Sequence, residues 1–196
     1  MPAPVDCSDV FEEGGFVSQP YHEGFGMQTI YQVPKPVYRA FEMIAHQPRL
    51  ALPLSVSGAT ETVITRPGSV SVGTVDVSVT VAAVDAKQTR VHALLVNYNT
   101  PDNAIAAQTV TVQVNNLPRA APSTATLRIV DSTHAYAFPV WQAAGSPMYP
   151  NQTEVATELS ASRVAPTSIA LSASGSKASF TVTLQPQSVT TVEFIV

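Results

Sequence analysis

Three carboxylates stand close together near the start of the chain, at Asp9, Glu12 and Glu13, and His22 and Phe25 follow in a glycine-containing stretch. Carboxylates accept charge-assisted hydrogen bonds, so such a cluster suits a ligand that carries polar donors. It does not suit a self-contained catalytic pair, because neighbours such as Glu12 and Glu13 point to opposite faces of an extended strand. Asp9 and Glu13 are four residues apart and not reliably convergent. An equally consistent interpretation makes all three solvated residues at the end of a strand.

A strand, a loop and a helix must position these side chains. Residues 3–11 predict a short strand, which Gly14 and Gly15 break into a loop that runs to Pro34. Pro36 suits the first turn of a helix, and Pro48 excludes the helical region for the residue before it. Between them apolar residues recur at helical spacing and form one stripe, which predicts an amphipathic helix over 35–47: Val37, Ala40, Phe41, Ile44 and Ala45.

After Arg49 the apolar period changes to two, which is typical of strands. Eight short segments separated by turn residues predict a mainly β fold, an antiparallel, immunoglobulin-like β-sandwich over 49–196. A helical crossover is predicted near 131–160, with Pro139 opening a short helix that Gly145 closes. The predicted strands are 50–56, 75–81, 90–98, 108–114, 124–130, 167–173, 178–184 and 189–195.

Composition excludes several classes of function. The net charge is −4 with 10 basic residues scattered along 196, so there is no electrostatic footprint for nucleic acid. The single Cys7 excludes an internal disulfide, and the four histidines lack ligand spacing, so neither a structural metal nor a cofactor is predicted. No apolar run approaches the ~20 residues that span a bilayer. Met1-Pro-Ala-Pro is unlike a secretory signal, so the chain stays inside the cell or its true beginning lies upstream.

Several motifs together resemble glycoside hydrolase family 39, the β-xylosidases and α-L-iduronidases. They occur in the family's order, as Ser8-Asp-Val-Phe-Glu-Glu13, Gly24-Phe-Gly26, Pro34-Lys-Pro-Val-Tyr-Arg-Ala-Phe41, Leu94-Leu-Val-Asn-Tyr98 and Arg128-Ile-Val-Asp131 followed by His134, Trp141 and Gly145-Ser-Pro147. Two positions depart from the pattern. Val5-Asp-Cys7 stands where the family usually has aromatic residues, and Tyr136 stands where it has Asn.

The resemblance implies that residues 1–48 are the last strand, loop and helix of a β/α barrel, and that residues 49–196 are the sandwich that follows it. It also implies a sugar-binding role for Asp9, Glu12, Glu13, His22 and Phe25. The family's acid/base and nucleophile glutamates lie on earlier barrel strands, and a complete barrel needs roughly 250 residues. A retaining glycosidase requires two carboxyl groups about 5 to 5.5 Å apart, so this chain is expected not to hydrolyse glycosides alone. By resemblance it would be secreted or lysosomal.

Three functional interpretations remain open. The first is a carbohydrate-related, non-catalytic family 39 fragment. The second is a structural or adaptor protein that docks onto another protein through the apolar side chains of the barrel remnant (residues 1–48), with Phe11, Phe16, Val37 and Phe41 facing the partner. The third is one piece of a longer glycosidase whose remaining barrel covers the same face. Sugar specificity is not determined by the sequence, because the selectivity loops would lie on other strands.

Other conspicuous residues have plain structural interpretations. Trp141, with Tyr136 and Phe138, is expected to lie in the crossover and cover the sandwich core rather than form a sugar platform. His134 is expected to be a hydrogen-bonded structural residue after Asp131. Asn151-Gln-Thr153 is an acceptor triplet for N-glycosylation, which matters only in a secreted protein.

Overall fold

A computed structural model describes residues 19–21, 26–55, 63–66, 69–99 and 103–196, and of 63–66 and 69–72 it describes only the backbone. The strands form two antiparallel sheets, so the predicted mainly β class is confirmed. The immunoglobulin-like arrangement stays a prediction. The predicted strand at 3–11 lies outside the described residues.

The larger sheet has eight strands, in the order β2-β3-β4-β5-β11-β7-β8, and β1 pairs with the end of β4 beyond β3. Its central strand pairs are long and in continuous register, with β5 pairing both β4 and β11 over eight or more residues. The strands of this sheet are β1 (Leu50–Ala51), β2 (Val63–Arg66), β3 (Ser69–Val72), β4 (Val75–Ala83), β5 (Thr89–Asn97), β7 (Thr124–Val130), β8 (Thr167–Ala170) and β11 (Ser188–Ile195).

The smaller sheet has the order β6-β10-β9, built from β6 (Gln108–Val114), β9 (Ser172–Ser174) and β10 (Lys177–Leu184). Its strands alternate between buried and exposed residues, as period-two patterning requires. Outward-facing threonines form cross-strand hydrogen bonds, for example between the hydroxyls of Thr111 and Thr181 at 2.8 Å. The inward-facing residues meet those of the larger sheet in one apolar core, with Leu95, Leu184 and Val192 fully buried.

Asn97, at the end of β5, ties the two sheets together. Its side chain is fully buried. The amide nitrogen lies within 3.0 to 3.3 Å of the carbonyl oxygens of Ala106, Leu184 and Gln185. Its oxygen accepts a hydrogen bond from the Thr74 hydroxyl at 2.7 Å. One side chain therefore satisfies the backbone at the turns before β6 and after β10.

Within the described residues, three helices lie on or between these strands: α1 (Pro36–Ala45), α2 (Phe138–Ala143) and α3 (Gln152–Ala161). Helix α1 packs on the outer face of the larger sheet, where Met43 meets Val130 and Ala135. Helices α2 and α3 form the crossover between β7 and β8. Asn151 begins α3 with a capping box, because its side chain accepts the amides of Thr153 and Glu154 while Glu154 accepts the amide of Asn151.

Element bounds largely match the sequence pattern, with four differences. The predicted strand 50–56 shortens to β1, although Leu52 and Leu54 still pack against the core. Strands β2 and β3 had not been predicted, because each is only four residues long. Helix α3 was not assigned within the predicted crossover, since its apolar residues form almost no stripe. The predicted segment 167–173 divides into β8 and β9, which join different sheets.

Candidate functional site

The five predicted sugar-binding residues, Asp9, Glu12, Glu13, His22 and Phe25, lie outside the described residues, as do Cys7, Phe11 and Phe16. Their roles stay predictions. What the structure does show is how the chain is anchored directly before His22, and which face of the helix after the loop is left exposed.

Tyr21 anchors the chain to the crossover. Its hydroxyl donates a hydrogen bond to Oε2 of Glu158 on α3 at 2.9 Å. Its ring lies 5.2 Å from that of Trp141 and 5.6 Å from that of Phe138, centroid to centroid. Aromatic pairs at such distances add stabilisation beyond their buried area. The crossover therefore fixes the residue that precedes His22 in sequence.

Glu158 is a carboxyl group inside the protein, with 1% of the residue exposed. Its Oε1 has no hydrogen-bond partner among the described residues. Burial raises the pKa of Glu158 above its usual range, and Glu154 adds to this effect, while the Tyr21 hydrogen bond opposes it. Burial and the neighbouring Glu158 likewise raise the pKa of Tyr21. This pair is suited to holding a loop in place, since neither group faces solvent freely.

Two further hydrogen bonds attach the crossover to its surroundings. The Trp141 indole donates to the carbonyl of Pro147 at 3.0 Å, and the Tyr31 hydroxyl donates to the carbonyl of Met148 at 3.1 Å. Trp141 is only 4% exposed. Trp141 is therefore a packing residue. Its partner Tyr21 lies in the segment before α1, outside the sandwich strands.

Helix α1 turns its apolar stripe away from the protein. Val37 is 44%, Phe41 53% and Ile44 42% exposed. The opposite side of the helix is held by buried Met43 and by Arg39, whose Nε donates to the carbonyl of Ser162 at 2.8 Å. This orientation is the reverse of an ordinary surface helix, which buries its apolar face.

His134 and Asp131 form a compact turn after β7. One oxygen of the buried Asp131 accepts the amides of Thr133 and His134, the Thr133 hydroxyl and the His134 Nδ1, at 2.7 to 2.9 Å. Burial alone would raise the pKa of Asp131, but these hydrogen bonds outweigh it and lower that pKa. His134 is thus hydrogen-bonded as the sequence predicted.

No group of three or more histidine, cysteine, aspartate and glutamate side chains that could hold a metal ion occurs within the described ranges. In the same part of the chain, no helix is long and apolar enough to cross a bilayer.

Sequence reasoning missed the Tyr21–Glu158 contact. Glu158 lies in a polar helix and has the appearance of a solvated residue in the sequence, and its partner is 137 positions away. The only signal was its neighbourhood, a helical crossover rich in aromatic residues.

The fold is shared with solved enzymes. The chain superposes on the GH39 enzyme from Xanthomonas axonopodis pv. citri with a TM-score of 0.63 and 19% identity, covering 95% of this chain and 35% of that one. A monomeric beta-xylosidase from Caulobacter crescentus CB15 gives a TM-score of 0.56 and 17% identity, covering 95% and 36%. At these identities the likeness shows the fold.

Sequence comparison gives the family. A beta-xylosidase from Caldicellulosiruptor saccharolyticus is 26% identical over 158 residues, which are 80% of this chain and 28% of that protein. The chain thus spans about a third or less of the length of these relatives. The family model for glycosyl hydrolases family 39 matches residues 4–178. The match runs from near the start of the predicted barrel segment to the beginning of β10, and this chain therefore belongs to glycosyl hydrolases family 39.

Proposed function

We propose that this chain is a non-catalytic module of a family 39 glycosidase, with a barrel-derived part at residues 1–48 and a sandwich at 49–196 that supports it. Catalysis would depend on carboxylates that these 196 residues do not supply. The observation that carries this proposal is the exposed apolar stripe on α1.

The stripe has the chemistry of a packing surface. Val37, Phe41 and Ile44 are each more than two-fifths exposed. Successive members of this set are three or four residues apart and are therefore neighbours on one face of the helix. Contiguous exposed apolar side chains of this kind mark a surface that contacts another element or protein. In a β/α barrel the helices form an outer ring around the strands, so the remaining barrel of a family 39 enzyme fits as its cover.

The two buried carboxyl groups of the described residues are engaged within the protein. One oxygen of Asp131 accepts several hydrogen bonds within its own turn, and Glu158 accepts a hydrogen bond from Tyr21. Neither is placed to act on a glycosidic bond. This supports a carbohydrate-related role in which the chain contributes binding residues, with Asp9, Glu12, Glu13, His22 and Phe25 as candidates for contacts to sugar hydroxyls.

The first experiment measures the intact mass of the protein from its natural source and the hydrolysis of aryl β-xylosides. A mass near 20.7 kDa with no hydrolysis supports a non-catalytic module. A larger mass with hydrolysis, which is lost when the upstream part is removed, supports one piece of a longer glycosidase. Hydrolysis by the 196 residues alone would refute the proposal.

Sugar binding is tested separately by titrating xylosides and uronides into the chain. We expect Glu13→Ala to weaken binding, while Glu42→Ala, which also removes a carboxylate but from α1, leaves it unchanged. Equal binding by both variants would remove Glu13 from the site.

The same exposed stripe supports a second candidate, an adaptor that docks onto another protein through Val37 and Phe41. Light scattering after size-exclusion chromatography distinguishes it. Self-association, or a stoichiometric protein partner lost in Phe41→Asp, combined with no sugar binding, would favour the adaptor over the glycosidase module.

A further inference from the structure

A shallow cleft of about 180 Å³ lies beside the Asp131 turn, where the two ends of the crossover meet. It is bounded by the end of β7, the turn after it, the connection from α3 to β8, and the first residue of β8. Its lining residues are Ile129, Thr133, His134, Ala135, Arg163, Ala165 and Thr167.

The turn holds His134 in one orientation. The ring Nδ1 lies 2.9 Å from the Asp131 carboxylate, and the backbone amide of His134 donates to the same oxygen at 2.7 Å. Because an ionised carboxylate only accepts hydrogen bonds, Nδ1 must carry the proton. The other ring nitrogen, Nε2, is therefore the atom left for a ligand, and the His134 side chain is 55% exposed.

The backbone next to His134 is also constrained. Ala135 has a φ of 56°, in the left-handed region that non-glycine residues seldom adopt. The carbonyl of His134 accepts the amide of Asp131 at 3.1 Å, which closes the turn. The position of the imidazole is thus set by the fold before any ligand arrives.

Arg163 supplies the second polar group on the cleft. Its guanidinium has no ion-pair or hydrogen-bond partner among the described residues, and its backbone amide donates to the carbonyl of Ser160, which fixes its position after α3. Guanidinium groups bind oxyanions through paired N–H donors. Thr133 and Thr167 also line the cleft, but their hydroxyls donate to Asp131 and to the carbonyl of Leu127, so Arg163 is the main donor to a ligand.

We propose that this cleft binds a small oxyanion, such as a sulfate or a sugar carboxylate, between Arg163 and the Nε2 edge of His134. This inference is independent of the proposed function. The charged groups at the cleft are His134 and Arg163, with Asp131 beneath His134. Arg163 supplies the positive charge and the paired N–H donors, and the His134 ring adds a polar edge that the Asp131 turn holds in place.

The test titrates sodium sulfate into the full chain at pH 7.0 and follows amide and imidazole chemical shifts by NMR, with sodium chloride matching ionic strength. We expect saturable shifts confined to residues 129–135 and 163–167, and affinity at least about tenfold weaker in Arg163→Gln, since a charge-assisted hydrogen bond is lost. Arg119→Gln, an exposed arginine outside the cleft, is the matched control.

His134→Phe tests the second group. This variant keeps a planar ring but removes both ring nitrogens, and we expect it to bind sulfate more weakly than the unmodified chain. Glucuronate and xylose distinguish the source of the anion: glucuronate binding without xylose binding points to a sugar acid, and sulfate binding alone points to an inorganic ion. Unchanged binding in Arg163→Gln, unchanged binding in His134→Phe, or no saturable binding would each overturn the proposal.

Discussion

The orientation of α1 can be tested by truncating one residue from each side of the helix. Met43 is 5% exposed and packs against the outer face of the larger sheet, whereas Phe41 is 53% exposed. Met43→Ala removes three CH₂-sized groups at about 0.8 kcal/mol each, or roughly 2.4 kcal/mol before any cavity forms. Core truncations of this kind cost about 2–5 kcal/mol in all.

Phe41 should behave differently despite its larger side chain. Full burial of a phenylalanine stabilises a protein by about 1.5–3 kcal/mol, and with half the residue already in water the limit is roughly half of that. We therefore expect Phe41→Ala to lower the free energy of unfolding by less than about 1.5 kcal/mol and Met43→Ala by more than about 2 kcal/mol.

The assay is equilibrium unfolding in urea, followed by circular dichroism and by the fluorescence of Trp141, the single tryptophan. If Phe41→Ala destabilises the isolated chain as much as Met43→Ala does, the stripe is covered by the chain itself and the reasoning that leads to a docking face is wrong. In the presence of the true covering partner, the order of the two variants should reverse in a binding measurement.

Three further predictions concern buried polar groups. Burial lowers the pKa of His92 below its ordinary 6.5; Glu193 opposes this shift and neighbouring cations add to it. As the pH falls, the unfolded chain therefore takes up the proton before the folded one does. Urea unfolding between pH 7.5 and 5 should show stability lost as the pH falls, and His92→Gln should flatten that slope. Burial raises the pKa of Glu158 above 4.5, so the contribution of this carboxyl group to folding stability is complete below pH 4.5 and is lost as the pH rises. Glu158→Gln should therefore be more stable than the unmodified chain at pH 7. Tyr21→Phe should be less stable than the unmodified chain by about 1–3 kcal/mol. A Glu158→Gln variant that loses stability at pH 7 would contradict this assignment. Asn97→Ala should cost about 3 kcal/mol or more in thermal unfolding, since it leaves several buried backbone groups without partners; a loss within about 0.5 kcal/mol, the usual range of a surface substitution, would show that water replaces the amide.

Periodicity in the sequence was sufficient to locate most elements. Strands β6 and β7 begin and end at the predicted residues. Strand β5 is displaced by one residue at both ends, and β10 and β11 begin one residue earlier than predicted. These strands alternate apolar and polar residues or are long β-branched runs, so local pattern and tertiary burial agree. Helix α1 was predicted within two residues at each end because Pro36 and Pro48 constrain it from both sides.

The pattern was less informative where an element depends on its neighbours. Strand β2 pairs with β3 and β3 pairs with β4, but β2 and β3 are each only four residues long, which is too short for a clear period in the sequence. Helix α3 has a capping box and few apolar residues, and what buries its Glu158 is Tyr21 from a distant segment.

The candidate site divides in the same way. The predicted sugar-binding carboxylates came from motif resemblance. They lie outside the described residues, so their roles stay predictions. The oxyanion cleft could not have been proposed from sequence, because Arg163 and His134 meet only when β7 and β8 pair and bring their flanking turns together.

By itself, the sequence determined the family, the mainly β class and the amphipathic character of α1, because motif order and apolar periodicity are local properties of the chain. Tertiary structure alone decided that α1 presents its apolar stripe outward, that Glu158 is buried against Tyr21, and that His134 and Arg163 line one cleft. Each of these features depends on which surfaces of distant segments come into contact. Two residues more than 100 positions apart, such as Tyr21 and Glu158, can bury each other without any periodic pattern in the sequence around either residue.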